Sequence, residues 1–213
     1  MNLNALPLSI QHSVLVLTIA FLSIIAFASE YFIGDIITQT FVYQRELIIQ
    51  GQLWRIFTGH ILHTNHYHLL LNLAALILLW ALHGRFYTIK NYSALFLFCC
   101  ITTSAGIFYG TPSLLQYVGL SGVLHGIFVF GALMDIVSKD KTGYILFIGV
   151  WIKIGHEQIY GASSDVSSLI EASVAVDAHL WGAIGGLFFT MAYLFFIKLK
   201  SNKAIKLKSN KAS

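Results

Sequence analysis

Polar side chains stand within three otherwise apolar stretches of this sequence, at spacings that could support catalysis. His68 and Asn72 are four residues apart and so share one helix face, as do Ser121 and His125. His179 stands in a third apolar stretch. Polar groups inside membrane-spanning helices are costly, and by default they indicate function. The pattern therefore predicts one site in which these side chains meet.

Acyl transfer by a serine is the chemistry that such a set could perform. A serine hydroxyl needs a base within hydrogen-bond reach, and the His179 imidazole suits that task because it is largely neutral at pH 7. His68, the Asn72 amide and the backbone N–H of Ser121 could donate to the developing oxyanion. No carboxylate is an obvious third member, since Asp177 lies on a different helix face from His179. We therefore expect a Ser-His dyad.

Glycines accompany these polar residues. Gly119 and Gly122 flank the serine region and would permit a tight backbone and a close approach of substrate. Gly122 with Gly126 and Gly182 with Gly186 form two small-xxx-small pairs, which let membrane helices approach closely. Such packing would bring the serine and the histidine to hydrogen-bond distance.

The composition places these stretches in a membrane. The chain has 213 residues, of which 57% are hydrophobic and only 10% charged, and its mean hydropathy is +0.75. A soluble domain has about 25% charged residues, so we expect an all-α polytopic membrane protein. The same numbers exclude disordered, collagen-like and disulfide-stapled secreted proteins. Cys99 and Cys100 lie in an apolar run, which favours core residues over a disulfide or a metal site.

Six segments are long and apolar enough, or nearly so, to span a bilayer. They are residues 10–28, 67–82, 92–109, 119–137, 142–155 and 176–199. The first could be a cleaved signal peptide, but the preceding residues 1–11 contain no Lys or Arg. We therefore interpret it as a retained span.

Basic residues alternate between the predicted loops. Arg85 and Lys90 follow the second span, Lys139 and Lys141 follow the fourth, and a Lys-rich tail follows the sixth. By the positive-inside rule both termini are then cytoplasmic. Spans two, four and six consequently start at the outer side, and their polar residues should form one layer there.

The tail gives the chain its positive net charge. The segment Ile197–Ala204 reads IKLKSNKA and is repeated at Ile205–Ala212. This is a basic tail without a basic face for nucleic acid, and the plain interpretation is a cytoplasmic anchor. We expect two parts, a six-span catalytic domain over residues 1–197 and a tail over 198–213.

Four separated motifs together resemble the rhomboid intramembrane serine proteases. They are Trp54-Arg55, His68-x-x-x-Asn72, Gly119-Leu120-Ser121-Gly122 and Ala178-His179-x-x-Gly182-x-x-x-Gly186. The resemblance implies a six-helix bundle with Ser121 as nucleophile and His179 as general base. It also implies an oxyanion hole formed by His68 and Asn72, and a membrane-embedded outer loop containing Trp54 and Arg55.

The sequence departs from the usual rhomboid pattern at one position, and in this it resembles the rhombosortase branch of that family. His125 stands where most rhomboids have a tyrosine, and the strings Gly59–Asn65, Val174–His179 and Trp151–Lys153 with Glu157 are similar to that branch. The resemblance implies a bacterial inner-membrane enzyme with its site toward the periplasm. Its substrates would be exported proteins with a Gly-Gly motif, a C-terminal hydrophobic span and a basic end. Neither cofactor nor nucleic acid is implied.

Several alternatives stay open. His125 could pack on His179, donate to substrate or be a structural imidazole, and Lys153 with Glu157 could form a surface pair or contact substrate. A general rhomboid protease, a non-catalytic client-binding rhomboid and a metal-binding membrane protein remain possible. The metal alternative rests on four histidines in one short segment, which are His60, His63, His66 and His68. Hydrolysis versus transfer to an acceptor, and the oligomeric state, are undetermined.

Overall fold

A computed structural model describes residues 10–212, with side chains described for residues 13–200, 202 and 203. Two parts of the sequence-based expectations therefore lie outside the described residues. One is residues 1–9, which precede the first predicted span. The other is the far end of the predicted tail, for which the backbone is described only as far as residue 212.

Helices dominate the chain, which is an all-α polytopic membrane protein as its composition predicts. The six long helices are α1 (Ile10–Ile33), α5 (His66–His83), α6 (Ile89–Gly110), α7 (Ser121–Val137), α8 (Thr142–Tyr160) and α10 (Val176–Ala212). The short helices are α2 (Ile36–Phe41), α3 (Arg45–Ile49), α4 (Arg55–Thr58) and α9 (Ser164–Leu169). A two-residue strand pair, β1 (Tyr43–Gln44) and β2 (Gln116–Tyr117), joins two of the connecting segments.

The six predicted spans correspond to the six long helices. Within the described residues, four helical segments have the length and hydropathy to cross a membrane, namely Ser13–Ile33, His66–Phe86, Ile89–Gly110 and Val176–Lys200. Helix α7 is equally apolar but has only 17 residues. Helix α8 carries two charged residues, and it runs to Tyr160 rather than ending at Gly155 as the apolar pattern predicted. The extra turn contains Glu157, whose charge has partners inside the protein.

Helices α7 and α10 cross in backbone contact, as the glycine pairs predict. A Cβ atom on Gly182 would collide with the carbonyl oxygen of Gly122, and one on Gly186 would collide with that of Gly126. Close backbone approach of this kind is what small residues allow in membrane bundles. The crossing places the first turns of the two helices side by side.

The segment between α1 and α5 is held by a buried arginine. The guanidinium of Arg55 is 3% exposed and donates to the carbonyl oxygens of Val42 and Gln39 at 2.7 and 2.8 Å. It also donates to the side chain of Gln52 at 2.8 Å. Charge-assisted bonds are stronger than neutral ones, so Arg55 fixes the shape of this loop.

The loop is also tied to the segment that leads into α7. Strands β1 and β2 pair antiparallel, with Tyr43 opposite Tyr117. The amide of Gly119 donates to the carbonyl oxygen of Gly59 at 3.1 Å. The start of α7 is therefore fixed from the loop side as well as by α10.

Candidate active site

Ser121 and His179 meet where α7 and α10 begin. Ser121 is the first residue of α7, and His179 lies in the first turn of α10. The serine Oγ is 3.0 Å from Nε2 of the histidine, and the histidine is 5% exposed. The glycine-mediated crossing described above sets this distance. The two residues that the sequence paired are thus in hydrogen-bond contact.

His68 and Asn72 lie on the other side of Ser121, on α5. The Nδ1 atom of His68 lies 3.1 Å from the hydroxyl of Thr64 and accepts from the Thr64 amide at 3.4 Å. Nδ1 thus has its contacts on the Thr64 side, and Nε2 is the ring nitrogen that lies next to Gly119 at the serine turn. The Asn72 amide donates one proton to the His68 carbonyl at 3.0 Å and retains a second. Both side chains line a cavity together with Ser121.

Gly119 allows the His68 ring to approach the serine turn. Its φ is +124°, a conformation that residues with a Cβ rarely adopt, and a Cβ there would lie 2.8 Å from Nε2 of His68. The Tyr117 hydroxyl donates to the Gly119 carbonyl at 2.6 Å. Burial raises the pKa of Tyr117, which stays a neutral donor. Gly119 was predicted to permit a close approach of substrate, and the close approach that the structure shows there is that of the His68 ring.

The His125 ring stacks on the ring of His179. Their centroids are 4.1 Å apart and their planes differ by 19°. The Nδ1 atom of His125 lies 2.7 Å from the carbonyl oxygen of Ser121, one helical turn away on α7. This contact is the packing of His125 on His179, one of the three roles considered for His125.

Glu157 and Lys153 belong to the same cluster, which the sequence reading missed. They form the expected pair at 2.8 Å, but Glu157 also lies 2.9 Å from Nδ1 of His179. The Lys153 side chain is 45% exposed and that of Glu157 only 12%, so the expected pair has one member at the surface while its carboxylate reaches the site. The signal that could have found it is a charged pair at i and i+4 inside a spanning helix. Asp177, correctly excluded by its helix face, instead accepts from the Thr111 hydroxyl at 3.0 Å.

One cluster of donor atoms has a spacing suited to a metal ion. One ligand atom each from His125, Glu157 and His179 lie within 4.8 Å of one another. The ammonium of Lys153, however, lies 2.8 Å from His125 Nε2, 2.8 Å from Glu157 and 3.3 Å from His179 Nδ1. A cation thus already faces all three groups, and we assign the cluster no metal.

The four-histidine segment of the metal alternative does not form a cluster. His60 lies between Ser104 and the carbonyl of Cys100, at 3.0 and 3.2 Å, while the His66 ring contacts the Tyr67 ring at a tilt of 41°. His63 and His68 are in ring contact, with centroids 5.0 Å apart. Burial and the neighbouring His68 imidazole lower the pKa of His63 to about 3, so its ring is uncharged at pH 7.

Two cavities meet at Ser121. One of about 390 Å³ has polar lining groups from the loops, including His63, Thr64 and Tyr117. The other, of about 200 Å³, is lined by apolar side chains and by His68, Asn72, Ser121, His125 and His179. Ser121 and His68 line both cavities. A polar space and an apolar space therefore both reach the serine.

Helix α9 covers this region and is attached to the loop before α5. The Thr64 hydroxyl donates to the carbonyl of Ile170 at 2.7 Å, and the Asn65 amide donates to that of Leu169 at 2.9 Å. Asn65 also caps α5 by accepting from the backbone of His68 at 2.9 Å. The side chains of Thr64 and Asn65 thus connect the end of α9 to the start of α5, where His68 lies.

Trp54 and Arg55 are absent from the lining of these two cavities. Trp54 is 46% exposed and its indole donates to the Thr40 carbonyl at 3.1 Å. Arg55 is buried and holds the loop between α1 and α5 through its hydrogen bonds to the carbonyl oxygens of Val42 and Gln39. Both residues therefore support the site through the loop rather than by contact with Ser121.

The chain is similar to known proteins over the part that holds this site. A sequence model of the rhomboid domain matches residues 50–196. The rhomboid protease GluP of Bacillus subtilis (strain 168) is 28% identical over 145 residues, which are 68% of this chain and 27% of that protein. The part of the chain that matches spans only about a quarter of the length of this relative.

The domain match covers more than half of the chain and includes all seven residues of the candidate site. They are His68, Asn72, Ser121, His125, Lys153, Glu157 and His179. With the helical bundle and the site geometry, this match shows that the chain belongs to the rhomboid family.

Proposed function

We propose that this protein is an intramembrane serine endopeptidase in which Ser121 is the nucleophile and His179 the general base. The observation that carries the proposal is the 3.0 Å contact between Ser121 Oγ and His179 Nε2 at the meeting point of two cavities. A serine hydroxyl in contact with an imidazole is the arrangement that activates it for attack. Membership of the rhomboid family supports the same assignment.

Peptide cleavage would follow two steps. The Oγ of Ser121 bonds to the scissile carbonyl carbon while its proton moves to Nε2 of His179, and the carbonyl electron pair becomes an oxyanion. His68 through Nε2, the second amide proton of Asn72 and the Ser121 backbone N–H would donate to that oxyanion. Breaking the C–N bond releases an amine that takes the proton from Nε2. Water, deprotonated in turn by His179, then cleaves the acyl ester and Ser121 regains its proton.

The substrate would be a membrane protein that presents a locally unwound segment. A peptide bond within a helix is shielded by its own hydrogen bonds, so the backbone must open before it reaches Ser121. The apolar cavity suits side chains from a span, and the polar cavity can supply the water. We place the site near the outer face of the membrane, with residues 1–197 as the catalytic part and the lysine-rich residues 198–213 in the cytoplasm.

A fluorophosphonate probe tests the serine assignment directly. The purified protein should be labelled at Ser121, because the probe reacts with activated serines. The Ser121→Ala variant should lose both labelling and cleavage of a single-span substrate, with unchanged thermal unfolding. Cleavage that survives Ser121→Ala but is abolished by a chelator would contradict the proposal and favour a metalloenzyme.

The narrower proposal is a rhombosortase-like activity on exported bacterial proteins, at the inner membrane with the site toward the periplasm. It is supported by the stacking of His125, rather than a tyrosine, on His179. Cleavage would occur beside a Gly-Gly motif that precedes a C-terminal span. Each Gly lowers helix stability by about 1 kcal/mol, so such a motif eases the required unwinding.

Paired substrates separate this activity from that of a general rhomboid protease. Co-expressed substrates would carry Gly-Gly or Ala-Ala at the start of the final span. Preferential processing of the Gly-Gly substrate is expected, and equal processing would overturn the narrower proposal. The mass of the new C-terminus shows whether the acyl group went to water, as proposed, or to an amine.

A further inference from the structure

The hydrogen-bond directions in the cluster of His125, Lys153, Glu157 and His179 follow from the atoms that can only donate or only accept. A carbonyl oxygen only accepts, so Nδ1 of His125 donates to the Ser121 carbonyl at 2.7 Å. An ammonium only donates, so Nε2 of His125 accepts from Lys153 at 2.8 Å. His125 is therefore a neutral ring whose tautomer is fixed on both sides.

The same reasoning assigns the proton of His179. The Glu157 carboxylate only accepts, and it lies 2.9 Å from Nδ1 of His179, so Nδ1 carries the proton. The lone pair of Nε2 then faces the Ser121 hydroxyl at 3.0 Å, as a general base requires. Lys153 lies 3.3 Å from the same Nδ1 and would impose the opposite tautomer if it donated there.

We propose that Glu157 is a positioning residue that selects the active tautomer of His179, and that Lys153 moderates its charge. This rests on the proposed function, because it assumes that Ser121 and His179 carry out the chemistry. Glu157 holds the ring through Nδ1–H and stabilises the imidazolium that forms when Ser121 gives up its proton. The functional unit is then a Ser-His-Glu chain rather than the dyad that the sequence indicated.

The positive charge of Lys153 partly offsets the negative charge of the Glu157 carboxylate beside the His179 ring. Its ammonium donates to Glu157 at 2.8 Å and links it to His125, which in turn stacks on His179. Two opposite charges on α8 thus act on one ring of α10. Among the described residues, the other titratable side chains at this ring are His68 from α5 and His125 from α7, while Asp177 on α10 bonds away to Thr111.

The pH profile of kcat/KM distinguishes positioning from a merely structural role. Glu157→Gln should lower kcat/KM by about 10²–10⁴-fold, since its amide can donate to Nδ1 and impose the wrong tautomer. It should also move the acidic limb to lower pH, because the imidazolium loses a stabilising negative charge. Lys153→Met should move the limb the other way, because a positive charge beside the ring is removed. Glu157→Asp should restore part of the activity.

Asp177→Asn is the matched control, a carboxylate two residues from His179 that bonds away from the ring. It should leave the profile unchanged. The inference is overturned if Glu157→Gln retains kcat/KM within about two-fold, or if Glu157→Gln and Lys153→Met shift the limb in one direction. Fluorophosphonate labelling separates the two levels. An unlabelled wild type refutes the proposed function, whereas Glu157→Gln labelled at the wild-type rate refutes only the role of Glu157.

Discussion

At the scale of single residues, hydrogen bonds within the protein already fix the orientation of the buried polar side chains in this site before a substrate binds. Asn72 is 4% exposed and one of its amide protons is already given to the His68 carbonyl. His68 is fixed through Nδ1 by Thr64. A donor that is oriented in advance need not reorganise when the oxyanion forms, and that is where its catalytic effect comes from.

We predict that Asn72→Ala lowers kcat by about 10²–10³-fold, because one oxyanion donor is lost. KM should change far less, since the donor acts mainly in the transition state. Steady-state kinetics on a single-span substrate measures both parameters.

Asn65→Ala serves as the comparison for this prediction. It removes the cap of the same helix, so it should cost about 1 kcal/mol of stability without a hundred-fold fall in kcat. If Asn72→Ala raised KM and left kcat intact, Asn72 would be a binding residue instead.

At the scale of elements, the crossing of α7 and α10 decides whether serine and histidine meet. Gly182 packs on the carbonyl of Gly122, and the lower contact of Gly186 with Gly126 repeats the arrangement. Side-chain changes elsewhere can be absorbed by rotamer adjustment. A methyl group between two backbones cannot, because neither backbone can move without shifting its helix.

Gly182→Ala should therefore reduce both stability and cleavage. Overpacking of a tight interface typically costs about 1–3 kcal/mol, and a separation of the helices would lengthen the Oγ–Nε2 contact. Thermal unfolding in detergent and a cleavage assay measure the two effects.

Gly155→Ala on α8 is the matched change, since a Cβ there meets nothing within 4 Å. It should keep wild-type activity and stability, or gain slightly from helix propensity. A Gly182→Ala variant as stable and active as Gly155→Ala would show that the crossing tolerates separation.

The sequence predicted the elements and most site residues for definite physical reasons. Spacings of four residues placed His68 with Asn72, and Ser121 with His125, on shared helix faces, and glycine pairs marked the α7–α10 crossing. Glu157 was not recognised as a partner of His179, because the rotation of α8 about its axis is set by tertiary packing. The short helices of the first loop were not predicted either, since buried Arg55 bonds rather than a periodic apolar pattern define them.

At the scale of the whole molecule, the distribution of charge determines how the chain lies in the membrane. By the positive-inside rule, we propose that the segment between α6 and α7 lies outside and the segment between α7 and α8 inside. The two segments hold the exposed residues Ser113 and Ser138. Both native cysteines, Cys99 and Cys100, are free and fully buried, which makes a labelling test clean.

We predict that Ser113→Cys reacts with a membrane-impermeant maleimide in intact cells. Ser138→Cys should react only after the membrane is permeabilised. The unsubstituted chain is the negative control and should not react, because neither native cysteine is accessible. The reverse labelling pattern would overturn the proposed orientation and with it the placement of the site toward the outer side.

The backbone contact between α7 and α10 also determines which half of the protein can move. That contact contains no side-chain torsions, so α7 and α10 cannot separate by a change of rotamer. By contrast, the end of α9 is attached near Ser121 through two side-chain hydrogen bonds, from Thr64 and Asn65. Admission of a substrate should therefore proceed by displacement of α9 beside a stationary pair of helices, and its rate should depend on how easily those two bonds break.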